Sequence, residues 1–518
     1  MTTVKLASEH GLAVTQASDI KESTIELTAD VVVIGSGAGG AVIAYEMAAA
    51  GKSVIILEAG PYVPSKDFTE KLPDMLERLY EDQGAQMNST GDMAILQGRC
   101  VGGSTVVNGA VTFRTPDVIL EKWNTQYGLT ELTKETLEPY FKKVEKNLSV
   151  HENQSHEIAK HSQILNRGAK ALGYSHKPLK RNTKNCGLTG HCLSGCASDR
   201  KQSSLITYLP WAISHGAKLF ADTRAMTVDH RDGKATGVTA ETRDPATGEK
   251  IADVIVHAST VVSSAGAIQS PLLFLRSKLG NSSGQVGKNF ACHPSTLMMA
   301  EFDEEVYSWR GAALGSYVDE FEHPDNGGFI LEGGGSGPVE IALGGEPGTG
   351  KEYVSFMSKA KNICSMVTLF HDHNVGHIYY DGDKKVIDYD ISSDDFPTLK
   401  RVIQEAAKVF FAAGAKRVLL PTVKKTEVRS LEELDQQIDL LENGPHTFRM
   451  VSYHPQGTMR MGPDKEKSVV DAHGQSHDIQ GLYVADASVF PTSVIVNPQI
   501  TVYALSSYIA DKILGSVI

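Results

Sequence analysis

Asp30-Val31-Val32-Val33-Ile34-Gly35-Ser36-Gly37-Ala38-Gly39-Gly40 is the stretch whose reading decides the fold. Its β-branched run predicts a parallel strand buried on both faces. The Gly35-x-Gly37-x-x-Gly40 turn follows, and Ala41 to Ala50 reads as a helix of small residues with Gly51 as its C-cap. Ser53-Val54-Ile55-Ile56-Leu57 is a second buried strand that ends in Glu58, completing one βαβ unit. Glycines in such a turn permit a sharp strand-to-helix reversal and close approach of backbone to a pyrophosphate at the helix N-terminus. Glu58 stands where a carboxylate accepts hydrogen bonds from an adenosine ribose, and it disfavours a 2′-phosphate. The unit therefore predicts NAD or FAD rather than NADP.

Outward from that unit, 518 residues exceed what one hydrophobic core usually organises, so two joined domains are expected. Hydrophobic residues make up 41% and charged residues 22%, enough apolar material for a large core. Fifty basic against 62 acidic residues give a net charge of −12, which excludes a nucleic-acid binder that works by neutralising phosphates. Met1 to Ile20 lacks a basic patch followed by an apolar core, so no secretory signal is expected there. Val31 to Ala50 carries only Glu46 as a charge, but its glycines and the Gly35-Ser36-Gly37 turn spoil a membrane-spanning helix. A soluble, cytoplasmic protein without a transmembrane segment is expected; peripheral membrane contact and oligomeric state stay open.

Gly60 to Gln97 mixes prolines, charges and short apolar stretches and reads as a long covering excursion; Lys134 to Asn147 is charged and amphipathic. Residues 221–265 read as a meander of short strands turning at Asp232-Gly233. Residues 300–444 hold a Gly333-to-Pro338 loop and a helix near Thr398 to Ala413, and are expected to face the substrate. Gly481 to Val484 is another short buried strand, and Pro498 to Leu514 an amphipathic helix.

Three further stretches stand out: Gly98-Arg99-Cys100-Val101-Gly102-Gly103-Ser104-Thr105-Val106-Val107-Asn108-Gly109; Gly266 to Leu275 (GAIQSPLLFL); and the C-terminal His454-Pro455-Gln456-Gly457-Thr458, Asp486 to Pro491 and Asn497-Pro498-Gln499-Ile500-Thr501. Together with Leu57-Glu58-Ala59-Gly60 they resemble, in order and over nearly the whole length, the glucose–methanol–choline (GMC) oxidoreductases. That resemblance implies FAD as cofactor. It also implies an α/β fold (α+β overall): a Rossmann-like FAD-binding domain from residues 1–120, 215–300 and 445–518, and a substrate-binding domain on an antiparallel sheet with helices from 121–214 and 301–444.

The resemblance places Gly102 and Gly103 beside the flat flavin ring, in a segment that continues through Ser104, Asn108 and Gly109. Thr105 to Asn108 contains no histidine of the kind that bonds covalently to flavin in some family members, so dissociable FAD is expected. His454 falls where the family keeps its active-site histidine, and an imidazole with an ordinary pKa of about 6.5 can take a hydroxyl proton. Asn497 falls at the second catalytic position, where its amide could donate to the substrate oxygen. Asn497-Pro498 is equally the start of a helix, cap followed by first helical residue. Both readings stay open, since that helix N-terminus, with Pro498 and Gln499, would point at the flavin. Asp486 is implied beside the pyrophosphate or ribityl chain; Asp471 reads as a turn residue.

Cys186, Cys192 and Cys196, with Lys201-Gln202-Ser203 and Thr207-Tyr208-Leu209-Pro210, resemble the corresponding stretch of long-chain alcohol oxidases. The C-x5-C-x3-C spacing also resembles that of sugar dehydrogenases carrying a three-iron cluster. Structural or substrate-lining thiols, cluster ligands, and a disulfide or zinc site all stay open. The expected reaction is oxidation of a primary, long or hydrophobic alcohol to its aldehyde, with oxygen as acceptor. The alternative is a dehydrogenase passing electrons to a quinone, a cytochrome or an iron–sulfur relay.

Overall fold

The computed structural model describes residues 12–345, 348–373 and 375–515; the opening of the Met1–Ile20 stretch lies outside them. Val31–Ile34 (β1), Ala38–Ala49 (α1) and Val54–Leu57 (β2) form the βαβ unit. Every residue of β1 and β2 is buried, because β1 is the middle strand of a five-stranded parallel sheet. Its order is Leu482–Val484, Thr260–Ser263, β1, β2, Lys218–Phe220. Glycine is needed at two points of the turn. Gly35 has φ 95°, and a Cβ on Gly40 would lie 1.9 Å from the Gly35 carbonyl oxygen. Among the described residues no helix is long and apolar enough to cross a membrane.

Of the 221–265 meander, Thr223–Arg231, Lys234–Arg243 and Lys250–His257 pair as expected, with Thr24–Thr28 added parallel at the edge, whereas Thr260–Ser263 leaves it for the parallel sheet. A larger, mainly antiparallel sheet is centred on Ser295–Glu301 (β3), Phe329–Gly334 (β4) and Ile363–Phe370 (β5). Period-2 alternation divides its faces. Phe329 and Leu331 enter a core with Ile164, Leu165, Val402 and Ile403 of helices Lys160–Leu172 and Phe396–Ala412. Glu332 of β4 and Val367 and Leu369 of β5 line a cavity instead. Gly333 and Gly334, read from sequence as part of a loop, are the last residues of β4, where they pair with Met366 and Ser365.

The C-terminal helix Gln499–Gly515 (α2) is buried on nearly every face rather than amphipathic, because it is wedged between α1 and Lys134–Asn147. Lys134–Asn147 therefore lies with the nucleotide-side helices, whereas the sequence had grouped it with the substrate-facing half. Met450–Ser452, grouped with the nucleotide side, pairs with β3 in the large sheet.

Candidate active site

A cavity of about 660 Å³ runs from the glycine turn to the large sheet. Gly35, Gly37, Ala38 and Glu58 line one end, and Gly103, Ser104, Asn108, Gly109, Asp486, Pro498 and Gln499 line its length. His454, Asn497, Glu332, Tyr453 and Leu314 meet at the other end. Residues from both ends of the chain and from the large sheet thus share one space. Gly40 and Gly102 do not line it. Gly40 serves the packing of α1, and a side chain on Gly102 would meet Val106 and Leu205 rather than the cavity.

At the turn, α1 begins at Gly37 without a side-chain cap, so first-turn N–H groups are left for a ligand. Glu58 accepts from the Ser36 amide at 3.0 Å, the Ser36 hydroxyl at 2.6 Å and the Gly60 amide at 2.8 Å. Ser36 Oγ in turn accepts from the Gly102 amide at 2.9 Å, tying the turn to the Gly-Gly segment. Burial pushes the Glu58 carboxyl up, and the Ser36 hydroxyl opposes the shift. Asp486 accepts from the Gly266 amide, the Ser270 hydroxyl and the Ser488 amide. Burial raises it too, against the Ser270 hydrogen bond. Asp471 holds the amides of His473 and Gln475, a turn role.

At the far end, burial pushes the His454 imidazole down to about 3, so the ring is neutral at physiological pH. Its Nδ1 lies 3.2 Å from Nδ1 of His293. Among the described residues Asn497 Oδ1 is buried without a hydrogen-bond partner, so the side chain is not engaged in capping α2. Burial pushes the Glu332 carboxyl up to about 8, and a hydrogen bond from Asn497 draws it down.

Two of these residues, Glu332 and His293, escaped the sequence reading, and Lys201 was seen there only as part of a resemblance, without a role. Glu332 had a signal: a lone acid within the apolar run Phe329-Ile330-Leu331. His293 had none, since its role depends on a left-handed backbone, φ 52°. Lys201, 3% exposed, donates to the carbonyls of Val106 at 2.6 Å, Asn108 at 2.8 Å and Cys192 at 2.7 Å. It bolts the cysteine loop onto the Gly102–Gly109 segment. All six cysteines are free thiols, and among the described residues no group of three or more His, Cys, Asp or Glu side chains is placed to hold a metal.

The GMC oxidoreductase family profiles match residues 76–295 and 372–506, and an FAD binding domain profile matches residues 30–68. The chain is 33% identical to an uncharacterized GMC-type oxidoreductase of Mycobacterium tuberculosis, over 95% of this chain and 76% of that one.

The chain belongs to the GMC oxidoreductase family.

It is also 28% identical to a long-chain-alcohol oxidase of Arabidopsis thaliana, over 100% of this chain and 71% of that one. Pyridoxine 4-oxidase from Mesorbium loti shares the fold, with a TM-score of 0.70 at 18% identity over 94% of this chain and 99% of that one. The cofactor of this GMC oxidoreductase is FAD, and the uncapped first turn of α1 with its glycines fits a pyrophosphate. It is an FAD-dependent oxidoreductase with a Rossmann-type nucleotide fold.

Proposed function

We propose that this flavoenzyme oxidises a primary alcohol, long or otherwise hydrophobic, to its aldehyde, with His454 as base and oxygen as electron acceptor. The observation that carries this reading is that His454 and Asn497 line the same cavity as the glycine turn. Bound FAD supplies the hydride acceptor. His454, kept neutral by burial, takes the hydroxyl proton on an imidazole nitrogen as the alcohol carbon loses hydride. The Asn497 amide carries two hydrogens; one serves Glu332, and the other is available to the substrate oxygen as negative charge develops there. Leu314, Val367 and Leu369 give the cavity an apolar wall, which suits an alkyl chain and keeps water from the reacting centre. The likeness to a long-chain-alcohol oxidase supports the same substrate class.

Gly35, Gly37, Ala38, Glu58, Gly103, Ser104, Asn108, Gly109, Asp486, Pro498 and Gln499 form the proposed FAD contacts. Oxygen uptake measured over a panel of primary alcohols of increasing chain length tests the proposal. Rising kcat/KM with chain length is expected. A preference for sugars or choline would overturn the substrate class, and turnover with dye acceptors but none with oxygen would overturn the acceptor.

A further inference from the structure

His293 lies behind the cavity wall rather than in it. Its side chain is fully buried, and among the described residues the one side-chain hydrogen bond it makes joins its Nδ1 to Nδ1 of His454 at 3.2 Å. The surrounding frame is built to hold it there. Both carboxylate oxygens of buried Asp372 are used on this segment, one accepting from the Cys292 amide at 2.9 Å and the other from the His293 amide at 3.1 Å. The Tyr389 hydroxyl fixes Asp372 at 2.9 Å. Ser452 Oγ donates to the Cys292 carbonyl at 2.5 Å and accepts from the His454 amide at 3.4 Å. The two histidine-bearing segments are thus joined. His293 at φ 52° and Ile495 at φ 67° both occupy the left-handed region that side chains avoid, a strain that only an over-determined site retains.

Two rings meeting nitrogen to nitrogen share one hydrogen, so one Nδ1 donates and the other accepts. His454 spends Nδ1 on this contact and lines the cavity, so Nε2 is the ring nitrogen left for the substrate. A base needs that nitrogen bare, which puts the shared hydrogen on His454 Nδ1 and makes His293 Nδ1 the acceptor.

We propose that His293 is a positioning residue that fixes the tautomer of His454: His454 Nδ1–H donates to His293 Nδ1, leaving His454 Nε2 bare and turned to the cavity. This rests on the reading of His454 as the base. A base needs an open lone pair at the reacting oxygen, and the wrong tautomer would present a hydrogen there instead. No proton leaves His293 in the reaction; its part is orientation.

Histidine-selective 15N NMR on the intact flavoprotein tests the assignment without any activity measurement, the His454 signals being identified by their loss in His454→Gln. A pyrrole-type shift at Nδ1 and a pyridine-type shift at Nε2 are expected; the reverse pattern overturns the proposal. In a second arm, His293→Leu removes the acceptor, and kcat is expected to fall about 10²-fold with KM changed less than about threefold. His293→Asn offers a carbonyl oxygen to the same N–H and is expected to recover most of that loss. Wild-type kcat in His293→Leu, or an equal loss in both variants at full flavin content, overturns the proposal. If His454→Ala itself still turns over, the reading of the base fails, and that outcome is separate from the tautomer pattern.

Discussion

The side-chain amide of Asn108 donates to Oε1 of Gln499 at 2.8 Å, across 391 residues of sequence. Gln499 Nε2 donates onward to the Val111 carbonyl at 2.6 Å and to Asn182 Oδ1 at 3.1 Å, while Asn108 Oδ1 accepts from the Ala110 amide at 3.0 Å. Every polar atom of the pair is satisfied, which rigidifies the segment along the cavity. Gln499→Leu should leave the Val111 carbonyl and the Asn108 amide unpaired, at about 1–3 kcal/mol. Weaker FAD retention on dilution and a lower Tm are expected, read by released flavin fluorescence and by calorimetry.

His454→Ala should abolish alcohol oxidation while leaving FAD bound, since the imidazole lies at the opposite end of the cavity from the glycine turn. A loss of at least about 10²-fold in kcat is expected, with the visible flavin spectrum retained. Oxidation at the wild-type rate would show that another group takes the proton.

Lys201→Met should destabilise the enzyme by at least about 3 kcal/mol, because three carbonyl acceptors lose a buried ammonium donor. Denaturant unfolding measures this. Burial pushes that ammonium down to about 8, so between there and the ordinary 10.5 the unfolded chain holds a proton that the folded one has released, and the group's net cost to stability falls as pH rises through that range.

Glu332→Gln tests the carboxyl beside Asn497. Its folded-state pKa of about 8 lies above the ordinary 4.5, so the folded form holds a proton that the unfolded form has lost. Stability from this group is present below about 4.5 and is lost as pH rises to about 8. Between pH 6.5 and 8 the wild-type Tm should fall more than that of Glu332→Gln, which cannot ionise.

Buried histidines act in the opposite sense. His161 is pushed down to about 4 and His371 to about 3, in both cases by burial. The unfolded chain binds protons below its ordinary 6.5 before the folded one does, so stability drops as pH falls from about 6.5 to about 4. His161→Gln should show a smaller fall in Tm between pH 7 and pH 5 than wild type, whatever its absolute stability.

Much of the nucleotide half was legible because its signals are local. A β-branched run buried on both faces, three glycines at fixed offsets and a strand-end acid specify the βαβ unit without knowledge of any partner. Lys134 to Asn147 was visible as an amphipathic helix, though not its neighbours, since amphipathicity shows that a face is buried but not against what. The substrate end was less legible. Glu332 occupies a strand whose alternation aims it at the cavity, and that alternation was obscured by the following glycines. His293 depends on a left-handed backbone and on Asp372, which comes from a distant segment. Such relationships are set by tertiary packing, and no spacing in the sequence encodes them.

The parallel sheet has a consequence for how the protein comes into being. Its central strand, near the start of the chain, is flanked by Thr260–Ser263, which is flanked in turn by Leu482–Val484. A polypeptide emerging from the ribosome cannot complete that arrangement until Leu482–Val484 has been synthesised, and pairings so remote in sequence form slowly. Until then the valine-rich segment at its centre is open to aggregation. Production of intact holoenzyme should therefore depend on chaperones and low temperature, and a fragment ending before Leu482 should be recovered as insoluble material without flavin.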